Sequence, residues 1–160
     1  LIEEASQADI IHLACKGLFD AENPLNSRLC LSPDGDNDGN FDLTETYSLK
    51  LDSCQLVTLT ACETGSGLTM SGDDIAGVSR GFTVAGTPRL VSSLWEIDDL
   101  ATAILVKHFY RNMKGGDAPA SALQKAQIHV RDRINPHPAY WAALLLMGEP
   151  KGNLSSAVMP

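Results

Sequence analysis

Four short runs of apolar and β-branched residues limit what this chain can fold into: "DIIHLAC" (9–15), "QLVTLTAC" (55–62), "PRLVSSLWE" (88–96) and "YWAALLLMG" (140–148). None alternates cleanly between apolar and polar, so each reads as a strand covered on both faces. The intervals between them carry helical periodicity. Ile75, Val78, Phe82 and Ala85 recur at three- and four-residue spacings and predict a helix over 73–85, stopped by Gly86. Leu100, Ile104, Leu105, Phe109 and Met113 predict a second helix over 99–113. After "KGGDAP", with Pro119 suited to a first turn, Leu123, Ala126, Val130 and Ile134 mark one face of a third. Strands alternating with helices of this length predict an α/β fold with a mostly parallel sheet and helices on both faces.

The chain has 160 residues, enough for one domain with a substantial core. Residues 1–150 are assigned to that domain and 151–160, "KGNLSSAVMP", to a flexible tail. A formal net charge of −8 argues against nucleic acid or an anionic membrane as partner. No apolar run approaches the length of a membrane span, and the acidic start "LIEEASQAD" is unlike a signal peptide. A soluble, cytoplasmic protein is therefore expected. Its four cysteines (15, 30, 54 and 62), with no CxxC pair among them, are expected as reduced thiols. The first residues read as a helix already under way, as though the chain were the C-terminal part of something larger.

Chemistry concentrates in "LVTLTACETGSG" (56–67). A strand runs into Ala61-Cys62 and then into a Gly-rich turn, which sets a nucleophile-capable side chain at a strand's C-terminal end. Backbone N–H groups freed by such a turn suit an oxyanion. A buried structural cysteine at a strand end is the other reading of the same residues.

Taken together, "HLACKG" (12–17), "LTACETGSG", "GDDIAGVSRGFTVAGTPRLVSSLWEIDDLAT" (72–102) and "HPAYWAALLLMG" (137–148) resemble, in order and content, the CHAT domain, a family of caspase-like cysteine peptidases often joined to tetratricopeptide repeats. The resemblance implies a three-layer α/β/α caspase–hemoglobinase sandwich with sheet order 2-1-3-4-5-6 and an antiparallel last strand. "DIIHLAC" matches the third of those strands, so the first two are absent here. The resemblance also makes Cys62 the nucleophile and Gly17, through its backbone N–H, part of the oxyanion hole. The family's general-base histidine, however, falls on Lys16. His12 matches an earlier histidine of the pattern, but four residues of strand put it roughly 13 Å from position 16. His108 and His129 are expected on helices and His137 before the last strand, none an evident replacement.

An imidazole can take a thiol proton and return it to a leaving amine because it titrates near working pH. An unperturbed lysine titrates near about 10.4 and is already protonated there. It can favour the thiolate electrostatically without shuttling its proton; a desolvated lysine acting as base is the alternative. The expectation is thus a cysteine endopeptidase fold impaired at its base, with a peptide- or partner-binding pseudoprotease as the rival.

Three further expectations follow. Glu96 and Asp98 close the strand of "SLWEIDDLAT" and are candidates for the substrate groove, although Asp98 or Asp99 also suits the N-cap of the next helix. "DGDNDGNFDLTE" (34–45) fits a calcium loop with Asp34, Asp36, Asp38, Asn40, Asp42 and Glu45 as ligands, or else is a solvated acidic turn, since "RLCLSP" before it reads as an extended strand or hairpin. Apart from that calcium candidate no metal or cofactor is expected. Finally, residues 9–15 would form an apolar sheet edge open to self-association or to pairing with another chain.

Overall fold

A computed structural model describes residues 2–18, 20, 23, 26–35, 37–60, 62–63, 80–95, 98–152 and 154. Each of the four apolar runs contains a strand of the main sheet: β1 (Ile10–Leu13), β5 (Leu56–Leu59), β7 (Arg89–Ser93) and β8 (Leu144–Gly148), in the order β1-β5-β7-β8. The first three are parallel and β8 is antiparallel to β7. All four residues of β5 and all five of β7 are buried, as strands covered on both faces must be.

Alternation along these strands splits the core in two. Leu56, Val91 and Leu144 face α3 (Asp99–Lys114) and α4 (Pro119–Arg133), where Leu105, Phe109, Met113, Ala126 and Val130 are buried. Val57, Leu59 and Leu90 face the opposite way, against Leu51, Phe82 and Ala85. Residues 80–84 are helical, so this second face is also covered by helix; residues 73–79 of the expected helix lie outside the described residues. The result is an α/β/α sandwich. Among the described residues, no helix is long and apolar enough to cross a membrane.

Two helix faces differ from the expectation. Leu100 is 67% exposed, and the buried stripe of α3 is Ala101, Leu105, Phe109 and Met113. The helix turns its smallest apolar side chain toward the sheet in its first turn, where Ala101 is fully packed, and leaves Leu100 outside. Ile134 is 46% exposed because α4 ends at Arg133 and Ile134 is its C-cap, past the buried stripe.

The irregular segment 20–50 supplies two strands, β3 (Arg28–Cys30) and β4 (Asn40–Asp42), to a second sheet completed by β2 (Lys16–Leu18) and β6 (Cys62–Glu63), in the order β4-β3-β2-β6. The expected strand at "RLCLS" is β3, antiparallel to both neighbours. The chain opens on a four-residue helix, α1 (Ile2–Ala5), and a six-residue helix, α2 (Leu43–Ser48), follows β4 directly. Leu29 and Phe41 bury themselves in the same core as Val57, which fastens this sheet to the main one.

The expected strands 9–15 and 55–62 are thus each divided. β1 stops at Leu13 and β2 begins at Lys16; β5 stops at Leu59 and β6 begins at Cys62. Lys16 therefore opens a strand and does not close one. The pairing offset is unchanged across the break, since Leu13 lies beside Leu59 and Lys16 beside Cys62. The Thr60 N–H donates to the Leu13 carbonyl at 3.0 Å within the gap, so the two chain segments leave one sheet and enter the other together.

Past β8, the beginning of the expected tail lies against the domain. Leu154 is 4% exposed, and the Lys151 carbonyl accepts a hydrogen bond from Arg89 at 2.6 Å.

Candidate functional site

In an open parallel sheet, backbone and side chains converge beyond the C-terminal strand ends, where helices no longer cover them. Here that region is a cleft of about 480 Å³. Its floor is the strand segment carrying His12, Ala14, Cys15 and Lys16, together with Thr60; its wall is the first half of α3, with Asp99, Thr102, Ala103 and Val106. Ala14 and Ala103 are the small residues that leave the space open, and the volume lies within the range of small-ligand and side-chain pockets.

Lys16 is exposed in this cleft, with Cys30 beside it on one side and Cys62 on the other. The register thus brings together positions 16 and 62, which the sequence separates by most of a domain half. The side chain of Cys62 and the whole of Glu96 lie outside the described residues. Gly17 is buried in mid-strand, between Leu29 and Glu63.

His12 and Lys16 line the same cleft, although four residues of chain still separate them. The His12 Nε2 is 3.2 Å from the Thr60 hydroxyl, and its ring lies 5.6 Å from that of Tyr110. The protein packed against that ring disfavours the imidazolium and lowers its pKa. Tyr110, on α3, donates its hydroxyl proton to the Thr58 Oγ1 at 2.9 Å, and burial pushes its pKa up to about 12. The other histidines are elsewhere. His108 and His129 stack on each other between α3 and α4 with centroids 3.7 Å apart, and the His137 Nδ1 accepts from the Ala139 N–H.

Asp98 and Asp99 have divided the two roles open to them. The Asp98 carboxylate accepts from the Ala101 N–H at 2.9 Å as the N-cap of α3, whereas Asp99 lines the cleft. The cleft wall at the end of this strand is therefore Asp99 in place of Asp98.

The calcium-loop candidate has a different local structure. Asp42 is the N-cap of α2: its side chain accepts from the Glu45 N–H, and the Glu45 carboxylate accepts from the Asp42 N–H, each at 2.9 Å. Asp38 accepts from both the backbone and the side-chain amide of Asn40. Asp34 bonds through its backbone to Asn37, and Asp36 lies outside the described residues. Phe41 must enter the core, which holds 40–42 extended and turns Asp42 and Glu45 to helix capping. Among the described residues no group of three or more His, Cys, Asp or Glu side chains is placed to hold a metal ion.

Cys54 is buried, its thiol 3.4 Å from the Leu56 carbonyl, and burial raises its pKa. Cys15 is raised by burial and by the neighbouring Cys30 thiol. Thr58, Thr60 and Tyr110 had no part in the sequence-based site. Even-numbered positions of a strand share a face, so 12, 14 and 16 on one run and 58, 60 and 62 on the other were legible as one surface. Tyr110 carries no comparable signal, since only the docking angle of α3 brings it there.

Known proteins resemble this chain in sequence. The profile of the CHAT domain matches residues 1–149. Tetratricopeptide repeat protein 28 of Mus musculus is 27% identical over 97 residues, covering 60% of this chain and 4% of that protein. The Homo sapiens protein of the same name is 28% identical over 80 residues, covering 49% of this chain and 3% of that protein. The chain thus matches a small part of each of these much longer relatives.

Proposed function

Because the chain belongs to the CHAT domain family, which is caspase-like, we propose that it is a cysteine endopeptidase domain with Cys62 as nucleophile, its turnover impaired by the lysine at position 16. One observation carries this reading: Lys16 and Cys62 are paired in register beside a cleft at the C-terminal ends of parallel strands. Paired residues of adjacent strands are neighbours, so an ammonium group at 16 favours the thiolate at 62. The thiolate adds to a peptide carbonyl, with the Cys62 N–H left to take the oxyanion, since Gly17 is buried in mid-strand and does not line the cleft. Collapse expels the amine and leaves a thioester, which water hydrolyses. Acylation needs a group that gives a proton to the departing amine, and deacylation needs one that takes a proton from the attacking water and returns it to the thiolate; an ammonium group serves only the first role well. The free thiols of Cys15, Cys30 and Cys54 suit a reducing, cytoplasmic setting.

The same lysine favours a second reading, a pseudoprotease that binds a peptide or protein partner without cleaving it. The two part on one experiment. The pH dependence of iodoacetamide alkylation at Cys62 is followed by site-resolved mass spectrometry in the native chain and in Lys16→His, alongside hydrolysis of a mixed peptide library. The endopeptidase reading expects native Cys62 to react with an apparent pKa well below about 8.5, and Lys16→His to gain hydrolysis that Cys62→Ala abolishes. A Cys62 inert in both proteins, with no hydrolysis by Lys16→His, replaces it with the binding scaffold.

A further inference from the structure

The hydrogen bonds beneath the cleft form a polar seam that the proposed chemistry does not use. It runs from the Tyr110 hydroxyl to the Thr58 Oγ1 at 2.9 Å, while the His12 ring, 5.6 Å from that of Tyr110, places its Nε2 3.2 Å from the Thr60 Oγ1. Thr58 is the residue beside His12 in the parallel ladder, and Thr60 is the first residue beyond β5. The seam therefore spans three elements, β1, β5 and α3, and ends two residues before Cys62. Thr60 is also held from its backbone, through its N–H to the Leu13 carbonyl at 3.0 Å. Two bonds of different kinds thus fix the point where the chain leaves the main sheet for β6.

We infer that His12 is a positioning residue for the nucleophile: by holding the Thr60 hydroxyl it sets the course of the chain that delivers Cys62 opposite Lys16. This deepens the endopeptidase reading and rests on it only for the word nucleophile. Cys62 can be held in this way whether or not it cuts peptides. Four residues along the strand, His12 is too distant to take the Cys62 proton itself, and its Nε2 is already engaged. The arrangement also makes the position of Cys62 sensitive to pH. A neutral imidazole can accept the Thr60 hydroxyl proton at Nε2; an imidazolium can only donate there, which forces that hydroxyl to turn and bond elsewhere. Tyr110 from α3 lies against the ring, and the charged and titratable groups that share its cleft are Lys16 from β2, Cys15 from the link before it, and Asp99 from α3. The residue is exposed to the cleft, and partial desolvation of the ring by the protein around it favours the neutral form.

The test is the rate of Cys62 alkylation by iodoacetamide between pH 5 and 9, read by site-resolved mass spectrometry on the full chain. Loss of one such hydrogen bond is expected to slow alkylation about 3- to 10-fold in His12→Ala and in Thr60→Val. His12→Gln keeps a hydrogen-bonding group without titrating. It is expected to recover most of the rate and to lose the acidic inflection seen in the native protein, while keeping the alkaline inflection of Cys62. Tyr110→Phe retains the ring, and circular dichroism of each variant shows whether it is folded. Native rates in both His12→Ala and Thr60→Val overturn the inference. So does a slow His12→Gln, or one that retains the acidic inflection, because either leaves the imidazole a packing role only. A seam that behaves as described in a chain that hydrolyses no peptide, even as Lys16→His, leaves the positioning role standing and removes the endopeptidase reading.

Discussion

Asp42 shows how one residue can answer to two sequence patterns and obey only one. It stands at the ninth position of the twelve-residue D-x-D-x-D-G-x5-E loop pattern and at the head of a D-x-x-E spacing, and the structure uses the second, the capping box of α2. The Thr44 hydroxyl, the Glu45 N–H and the Thr44 N–H all bond to the carboxylate and hold its pKa below the usual aspartate range. A depressed folded-state pKa means that the folded protein binds fewer protons than the unfolded one. The associated stability is therefore present above the unfolded pKa and is lost as pH falls through the folded value. Asp42→Ala is expected to lose about 1 kcal/mol in urea unfolding at neutral pH. That deficit should shrink on acidification, as the native carboxylate protonates and its cap weakens.

Among the elements, those with strong periodicity were legible: four buried strands, α3, α4 and the end of the helix before Gly86. What the sequence concealed was where each strand ends. "DIIHLACKG" contains no Pro or Asn to mark a break, yet β1 gives way to β2 between Leu13 and Lys16, because Leu29 and Phe41 must be buried against the main core. The site was legible to a similar depth. Positions 16 and 62 could be matched as a pair, but Asp99 in the wall and Tyr110 beneath the floor depend on how α3 docks, and local sequence does not encode that. β7 carries a second hidden element. Arg89 is 5% exposed and donates to the carbonyls of Gln55, Glu149 and Lys151 and to the Glu149 carboxylate. The exposed carboxylate contributes little by itself; the three carbonyls are what make a buried guanidinium tolerable. Arg89→Met keeps the bulk and leaves these acceptors without their donor. It is expected to cost about 1–3 kcal/mol in chemical denaturation, whereas Glu149→Gln should cost under about 1 kcal/mol.

For the whole molecule, the order β1-β5-β7-β8 leaves β1 with a partner on one side only among the described strands. Exposed backbone donors and acceptors on a short apolar strand are a template for pairing. Concentration-dependent self-association through residues 9–15 is the expected outcome in sedimentation velocity, reduced by Ile10→Lys, which puts a charge on the edge. A strictly monomeric species at high concentration removes that expectation.

The unchanged pairing offset across the two sheets has a consequence for how the chain tolerates change in length. Leu13 stands beside Leu59 where the two segments leave one sheet, and Lys16 beside Cys62 where they enter the other, so both gaps span the same number of positions. A residue inserted or deleted in only one of them cannot be absorbed as slack, as it would be in a surface loop. It shifts one strand by a single position against the other, and in a pleated strand one position exchanges the two faces. Position 17 would then stand beside 62, with the lysine turned out of the row. Compensating changes in both segments restore the match, so these two short gaps must lengthen or shorten together, although some forty residues of chain lie between them.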